Sequence, residues 1–173
     1  AVTGASGYLG KSLIRHLLTK SDVSQIIATD IRPFPYRHEK LTFIQQGIDE
    51  PFSETFKKYE VTTLVHLAFV LRQGRHRNEN YKVNIAGCEA LLESCDRANI
   101  QRIIQMSSST VYGPSRGAHT PKTESAPLNP IRGFHYAEDK TTVETIANAY
   151  AEQHPMTQVS ILRSCIVMGP AAR

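Results

Sequence analysis

The chain has 173 residues and a formal net charge of +4, enough length for one domain with a sizeable core. Hydrophobic residues make up 40% of it and charged residues 21%, the balance of a globular protein; no apolar run approaches the roughly 18 residues of a membrane span, and no signal-peptide pattern opens the chain. The basic residues are scattered and not interleaved with aromatics, which argues against a nucleic-acid groove, and the seven histidines show no HxxxH or HExxH spacing that would suggest a metal.

In chain order, residues 1–3 predict a strand remnant. "TGASGYLG" (3–10) follows, with Gly4, Gly7 and Gly10 at a spacing of three, and the apolar positions 9, 13, 14, 17 and 18 then fit a helical stripe. "QIIATD" (25–30) is a short apolar run ending in Asp30, and "LTFIQ" (41–45) is a second strand candidate. "FSETFKKY" (52–59) predicts a short helix and "TLVHLAFV" (63–70) a buried strand, in which His66 reads as a packed core histidine rather than a base. "RQGRHRNEN" (72–80) gathers Arg72, Arg75, His76 and Arg77 in a predicted solvated loop, with a flap onto an anionic substrate as the alternative.

Residues 80–98 carry Val83, Cys88, Leu91, Leu92, Cys95 and Ala98 at near-helical spacing, so Cys88 and Cys95, two turns apart, share a predicted buried face. With Cys165 the cysteines number three, an odd count that favours reduced thiols and an intracellular, cytoplasmic setting. "RIIQMSS" (102–108) predicts a strand running into hydroxyl residues. The stretch 113–133, interrupted by prolines and glycines, is too long for an ordinary connection and is expected to fold over a site. Residues 135–152 predict a helix with Tyr136, Lys140, Val143, Ala147 and Tyr150 along one side, and "QVSILRS" (158–164) gives the last strand.

Strands alternating with helices of this length imply βαβ units: an α/β fold with a doubly wound, Rossmann-type parallel sheet and helices on both faces, as one domain over residues 1–173. Ligands of such sheets bind at the carboxyl edge of the strands. Both ends of the chain read as cut, which marks it as a piece of something longer.

A glycine-rich turn between a strand and a helix lets backbone amides approach a pyrophosphate, which the helix N-terminus stabilises. A purely structural turn would use the same glycines. Asp30 sharpens the nucleotide reading, because it ends the next strand 20 residues after Gly10, where an acidic side chain accepts hydrogen bonds from the ribose hydroxyls. Its charge opposes a 2′-phosphate and favours NAD, while Arg32 and Arg37 keep NADP as the alternative. "YAEDK" places Tyr136 and Lys140 one helical turn apart on one face; an ordinary exposed pair has the same spacing.

Seven motifs in order carry a resemblance: "TGASGYLG", "TDIRP" (29–33), "VHLAF" (65–69), "VNIAG" (83–87), "SSSTVYG" (107–113), "YAEDK" (136–140) and "ILRSCIVMGP" (161–170). Together they resemble the extended branch of the short-chain dehydrogenase/reductase superfamily, the NAD-dependent epimerases and dehydratases. The resemblance implies a coenzyme site of Gly4, Ser6, Gly7, Tyr8, Leu9, Gly10, Asp30, Ile31, Arg32, Leu67 and Ala68, together with Tyr136 and Lys140. Gly47 stands where the family often has an adenine-binding aspartate, so the adenine falls to the Ile48 backbone, or to Asp49 in a shifted register.

Hydride transfer at a hydroxyl-bearing carbon also needs a proton moved at the oxygen. A phenol, which ordinarily holds its proton to about pH 10, does this near neutrality only beside positive charge. The resemblance makes Tyr136 the acid/base, Lys140 the ribose ligand and charge partner, and Ser108 the substrate-orienting hydroxyl, with Ser109 and Ser107 as fallbacks. Asn84 matches a relay asparagine, or else a polar residue at a helix bend. The expected activity is NAD-dependent epimerisation of a nucleotide sugar by transient hydride transfer. The alternatives are an alcohol- or steroid-type dehydrogenase or reductase with net redox, and a dinucleotide sensor without catalysis. Ser109 and Thr110 replace the Asp-Glu pair of the sugar 4,6-dehydratases, which disfavours dehydration. The family also implies a homodimer through the helices near 80–98 and 135–152, and a carboxy-terminal substrate segment that is absent from this chain.

Overall fold

The computed structural model describes residues 1–70, 77–114 and 121–170. Among these, six strands form one parallel sheet: β1 (Val2–Thr3), β2 (Ile26–Asp30), β3 (Leu41–Gln45), β4 (Thr63–His66), β5 (Arg102–Ser108) and β6 (Gln158–Ser164). Their spatial order is β3-β2-β1-β4-β5-β6, the doubly wound Rossmann arrangement expected from the alternation of patterns. β1 sits at the centre, with Val2 opposite Ala28 on one side and Val65 on the other. The helical elements are α1 (Tyr8–Leu18), α2 (Ser53–Lys58), α3 (Arg77–Tyr81), a π-helical turn (Lys82–Ala86), α4 (Gly87–Arg97), a 3-10 turn (Ser109–Tyr112) and α5 (His135–Gln153).

A strand covered on both faces needs apolar side chains without alternation, and β2 is buried along its whole length. Neighbouring residues of a strand point to opposite faces, so Leu64 and Val65 of β4 feed two separate cores. Leu64 and Ile103 pack with Phe52, Phe56, Leu91, Cys95 and Val143, which brings α2, α4 and α5 to one face. Val65 packs with Val2, Ile14 and Ala28, which places α1 on the other. Each such fully buried aliphatic side chain contributes about 1.5–3 kcal/mol. Cys88 and Cys95 are both buried as their spacing predicts, and burial pushes each thiol up to about 12.

Three local expectations are corrected. The strand foreseen over 63–70 ends at His66, because β1 turns away at Gly4 and leaves no parallel partner on that side. Its last rung is Leu67 N–H to Thr3 O at 3.3 Å, after which Ala68 N–H donates to the Thr3 hydroxyl. Second, residues 77–80 are not loop but the start of α3; the rest of that basic stretch, with Arg72, Arg75 and His76, lies outside the described residues. Third, the helix foreseen over 80–98 is broken by the π turn. The extra residue of such a turn re-aims the side chains around it, and here Asn84, 2% exposed, is bonded to both polar groups of Val70.

Candidate active site

The strand order reverses between β1 and β4, and a cavity of about 420 Å³ opens there at the carboxyl ends of the strands. Of the sequence-predicted coenzyme residues, Gly4, Gly7, Asp30, Ile31, Arg32, Ile48, Leu67 and Ala68 line it. Thr29, Gln46, Gly47, Asp49, Phe69, Val70, Glu79 and Val83 complete the wall and were not foreseen as lining, apart from Asp49 as an alternative for the adenine.

The glycines are required by contact rather than by composition. Gly4 has φ of 69°, and a Cβ there would lie 2.6 Å from Ala68 N and 2.8 Å from Leu67 C. The turn therefore rests directly on the exit of β4. A Cβ on Gly10 would lie 2.3 Å from Gly4 O, so α1 can approach the turn only without a side chain there. Gly7 N–H donates to Gly4 O at 3.0 Å, and Gly7 caps α1 at the cavity rim. The N-terminal turn of α1 thus presents its unpaired amides beside a cradle that side chains would fill, which fits a dinucleotide pyrophosphate.

Asp30 is 7% exposed and already engaged: its carboxylate accepts from Ser6 N at 2.9 Å, Arg32 N at 2.9 Å and Arg32 Nε at 3.2 Å. Arg32 is thereby tied to Asp30. Ser6, foreseen in the coenzyme site, stands behind the cavity wall, its hydroxyl shared between the carbonyls of Arg32 and Pro33 at 3.0 and 2.9 Å. It braces the loop after β2. Tyr8, Leu9 and Gly10 likewise lie outside the lining; Tyr8 instead reaches Gly169, where a Cβ would meet its hydroxyl. Ile48 is buried against Gly87, and Asp49 folds back so that its Oδ1 occupies the space a Gly47 side chain would take.

His66 is a core histidine, as foreseen. Burial pushes its pKa down to about 3, so the ring is neutral, and its Nδ1 lies 2.6 Å from Thr3 Oγ1. Thr3 Oγ1 also accepts from Ala68 N–H, so it ties the His66 ring to the exit of β4.

The second half of the site is carried on α5. Lys140 is 4% exposed, and its Nζ donates to Met106 O at 2.8 Å while lying 3.8 Å above the centre of the Phe69 ring. Desolvation lowers its pKa from 10.5 to about 8, against the raising influence of Cys88 and Glu144. The Tyr136 ring meets the same Phe69 edge-on at 5.4 Å and Phe134 at 5.8 Å. Neither Tyr136 nor Lys140 lines the cavity itself; Phe69, which does, contacts both.

Ser108 ends β5 and caps the following 3-10 turn, its oxygen accepting from Thr110 N at 3.3 Å and from the Thr110 hydroxyl at 3.0 Å. Ser107, one of its fallbacks, is turned to Glu144. The relay expectation for Asn84 meets a different geometry: its amide contacts Val70 and, at 3.3 Å, Asp139, which makes it a strut between the β4 exit and α5.

Sequence reasoning missed a buried network beneath this edge. Glu144, fully buried, is held by Arg163 through Nε and the terminal nitrogen at 3.0 and 2.8 Å, and it accepts from the Ser107 hydroxyl. Arg163 also donates to the Tyr112 hydroxyl at 2.6 Å and to Glu124 O at 2.7 Å. Glu144 lies one turn beyond Lys140 on the same face of α5. No group of three or more metal-ligating side chains comes together among the described residues.

Fold and cavity together define a doubly wound α/β protein with a nucleotide-sized space at its topological switch point. The chain belongs to the NAD dependent epimerase/dehydratase family, whose model matches residues 1–173. It is 30% identical over 189 residues to an uncharacterized UDP-glucose epimerase of Bacillus subtilis, covering 99% of this chain and 57% of that one. With the UDP-glucose 4-epimerase of Erwinia amylovora it shares 29% over 175 residues, covering 94% and 51%. The solved structure of UDP-glucuronic acid 4-epimerase from Bacillus cereus in complex with NAD matches with a TM-score of 0.84 at 26% identity, over 99% of this chain and 58% of that one. The chain spans about half the length of the curated relatives it matches. No helix among the described residues is long and apolar enough to cross a membrane.

Proposed function

We propose that the chain is the coenzyme-binding domain of an NAD-dependent enzyme that inverts a hydroxyl-bearing carbon of a nucleotide sugar. Bound in the cavity, NAD would take up the substrate hydride and return it. Gly4 and Gly7 would admit the pyrophosphate to the backbone, and Asp30 would receive the ribose hydroxyls on its remaining lone pairs. The Asp30 carboxylate at the ribose end opposes a 2′-phosphate and favours NAD over NADP, while the exposed Arg32 guanidinium and Arg37 keep NADP as the alternative. The Ile48 backbone and Asp49 border the adenosine end, while Leu67 and Ala68 bring the β4 backbone against the coenzyme.

At the other end, Tyr136 would take the proton from the substrate hydroxyl and restore it after reversal. Lys140 would stabilise the phenolate electrostatically and bind the nicotinamide ribose, and Ser108 would orient the substrate oxygen. One observation carries this reading: the Phe69 ring belongs to the cavity wall and touches both Lys140 and Tyr136. That contact joins a nucleotide-sized space to an acid/base pair. UDP-glucose is the substrate class favoured by the similarity to UDP-glucose epimerases. The outer faces of α4 and α5 are the proposed homodimer contact, and a cytoplasmic setting fits three free cysteines.

Turnover of UDP-glucose by the whole protein, without net appearance of reduced nicotinamide absorbance, would support epimerisation; stoichiometric reduction of NAD would turn the reading into a dehydrogenase. Tyr136→Phe is expected to abolish turnover and retain NAD binding in calorimetry. Persistent activity in that variant would remove Tyr136 from its role.

A further inference from the structure

Tyr136 and Lys140 sit one turn apart on α5, yet what joins them is a third side chain. Lys140 Nζ is 6.0 Å from the centre of the Tyr136 ring and gives its hydrogen bond to Met106 O. Both side chains converge on Phe69, the ammonium above its face at 3.8 Å and the phenol ring against it at 86°. The backbone on each side of Phe69 is fixed. Ala68 N–H is held by Thr3 Oγ1 at 3.3 Å, Val70 N–H by Asn84 Oδ1 at 2.8 Å, and Val70 O by Asn84 Nδ2 at 3.1 Å. The ring therefore stands on a pinned base at the exit of β4, and its other exposure is the cavity.

We propose that Phe69 is the positioning residue of this site, a single aromatic seat that sets where the Lys140 ammonium and the Tyr136 phenol stand relative to the coenzyme cavity. An ammonium has three donors; one is spent on Met106 O, and burial strips the others of water. An aromatic face supplies negative electrostatic potential where water is excluded, which an aliphatic side chain of similar bulk does not. The titratable groups around Lys140 are Cys88 on α4, His66 on β4, and Tyr136 and Glu144 on α5. Beside the bond to Met106 O, the closest aromatic face to the ammonium is that of Phe69, at 3.8 Å. The catalytic meaning of this seat rests on the function proposed above; the electrostatic contact does not.

The test compares Phe69→Leu with Phe69→Trp in the whole protein by NMR titration of isotope-labelled lysine ε-carbons, with Lys140→Arg assigning the Lys140 resonance. Leucine keeps an apolar, desolvating side chain and removes the quadrupole, so the Lys140 midpoint should fall by about half a pH unit, whereas tryptophan should hold or raise it. In parallel, kcat on UDP-glucose should drop at least roughly threefold in Phe69→Leu, with the NAD dissociation constant within about twofold of wild type. An unchanged Lys140 midpoint in Phe69→Leu overturns the proposal. So does a fall in Phe69→Trp, which decides the matter alone should the leucine variant not fold. Absence of NAD binding by the wild type would sink the coenzyme reading and leave the lysine titration to judge this one.

Discussion

Replacing Lys140 by methionine should make the protein more stable at neutral pH while removing the proposed activity. The ammonium is 4% exposed, and desolvation lowers its pKa from 10.5 to about 8. At 1.36 kcal/mol per unit, that difference of about 2.5 means the charged form costs about 3 kcal/mol in the folded state. Methionine keeps the unbranched stem and fills similar space. Its losses are one hydrogen bond, about 1 kcal/mol, and the ring contact, about 1 kcal/mol, so the expected net gain is about 1 kcal/mol. The sign with pH follows from the direction of the shift. Between about pH 8 and 10.5 the unfolded chain keeps the lysine proton that the folded chain has released, so wild-type stability rises through that window relative to the variant. The advantage of methionine is therefore complete below about pH 8, and by about pH 9.5 the wild type has recovered about 2 kcal/mol, enough to reverse it. Urea unfolding of both proteins at about pH 7 and about pH 9.5 measures it. Equal destabilisation of Lys140→Met at both values would refute the claim that Lys140 is a buried charge retained against stability.

Gly10→Ala places a methyl group 2.3 Å from Gly4 O, a backbone atom that cannot step aside, and should cost about 3 kcal/mol in urea unfolding; a loss under about 0.5 kcal/mol would mean that α1 shifts freely. Asp30→Asn removes the charged acceptor for Ser6 N and Arg32 and should weaken NAD binding in calorimetry by roughly 10–100-fold while narrowing the preference over NADP. Arg163→Met leaves the fully buried Glu144, among the described residues, with the Ser107 hydroxyl as its one remaining hydrogen-bond partner; a stability loss of about 3–5 kcal/mol is expected by thermal or urea unfolding.

Much of the fold was legible because its determinants are local. The strands at 26–30, 41–45, 102–108 and 158–164 are apolar runs closed by polar or turn residues, and each stands in the sheet within a residue of its expected bounds. The failures have distant causes. Where β4 stops depends on how soon β1 turns at Gly4, some sixty residues earlier in the chain. The π turn depends on Asn84 finding Val70, which no periodicity reports.

The site divides in the same way. Gly4, Gly7 and Asp30 stood out because a close backbone approach demands glycine and the proposed ribose contact demands a carboxylate at the strand end. Ser6 looked like part of the cradle but serves the loop behind it, since its neighbours Arg32 and Pro33 arrive from another strand. Phe69 lay inside a quoted motif without being singled out, because only the folded chain shows what its ring touches. Ser107, Tyr112, Glu144 and Arg163 meet through β5–β6 pairing and the docking of α5, relations that sequence spacing does not encode.

The bond from Arg163 to Glu124 O links an edge strand to the irregular stretch that follows the 3-10 turn. Edge strands open more readily than central ones because only one side is paired. When β6 frays, Arg163 withdraws at once from Glu144, Tyr112 and Glu124, so the margin of the sheet, the helix carrying the phenol and the segment near residue 124 loosen as one cooperative unit. Native-state amide exchange would then register a shared opening free energy for these parts, lower than that of β2.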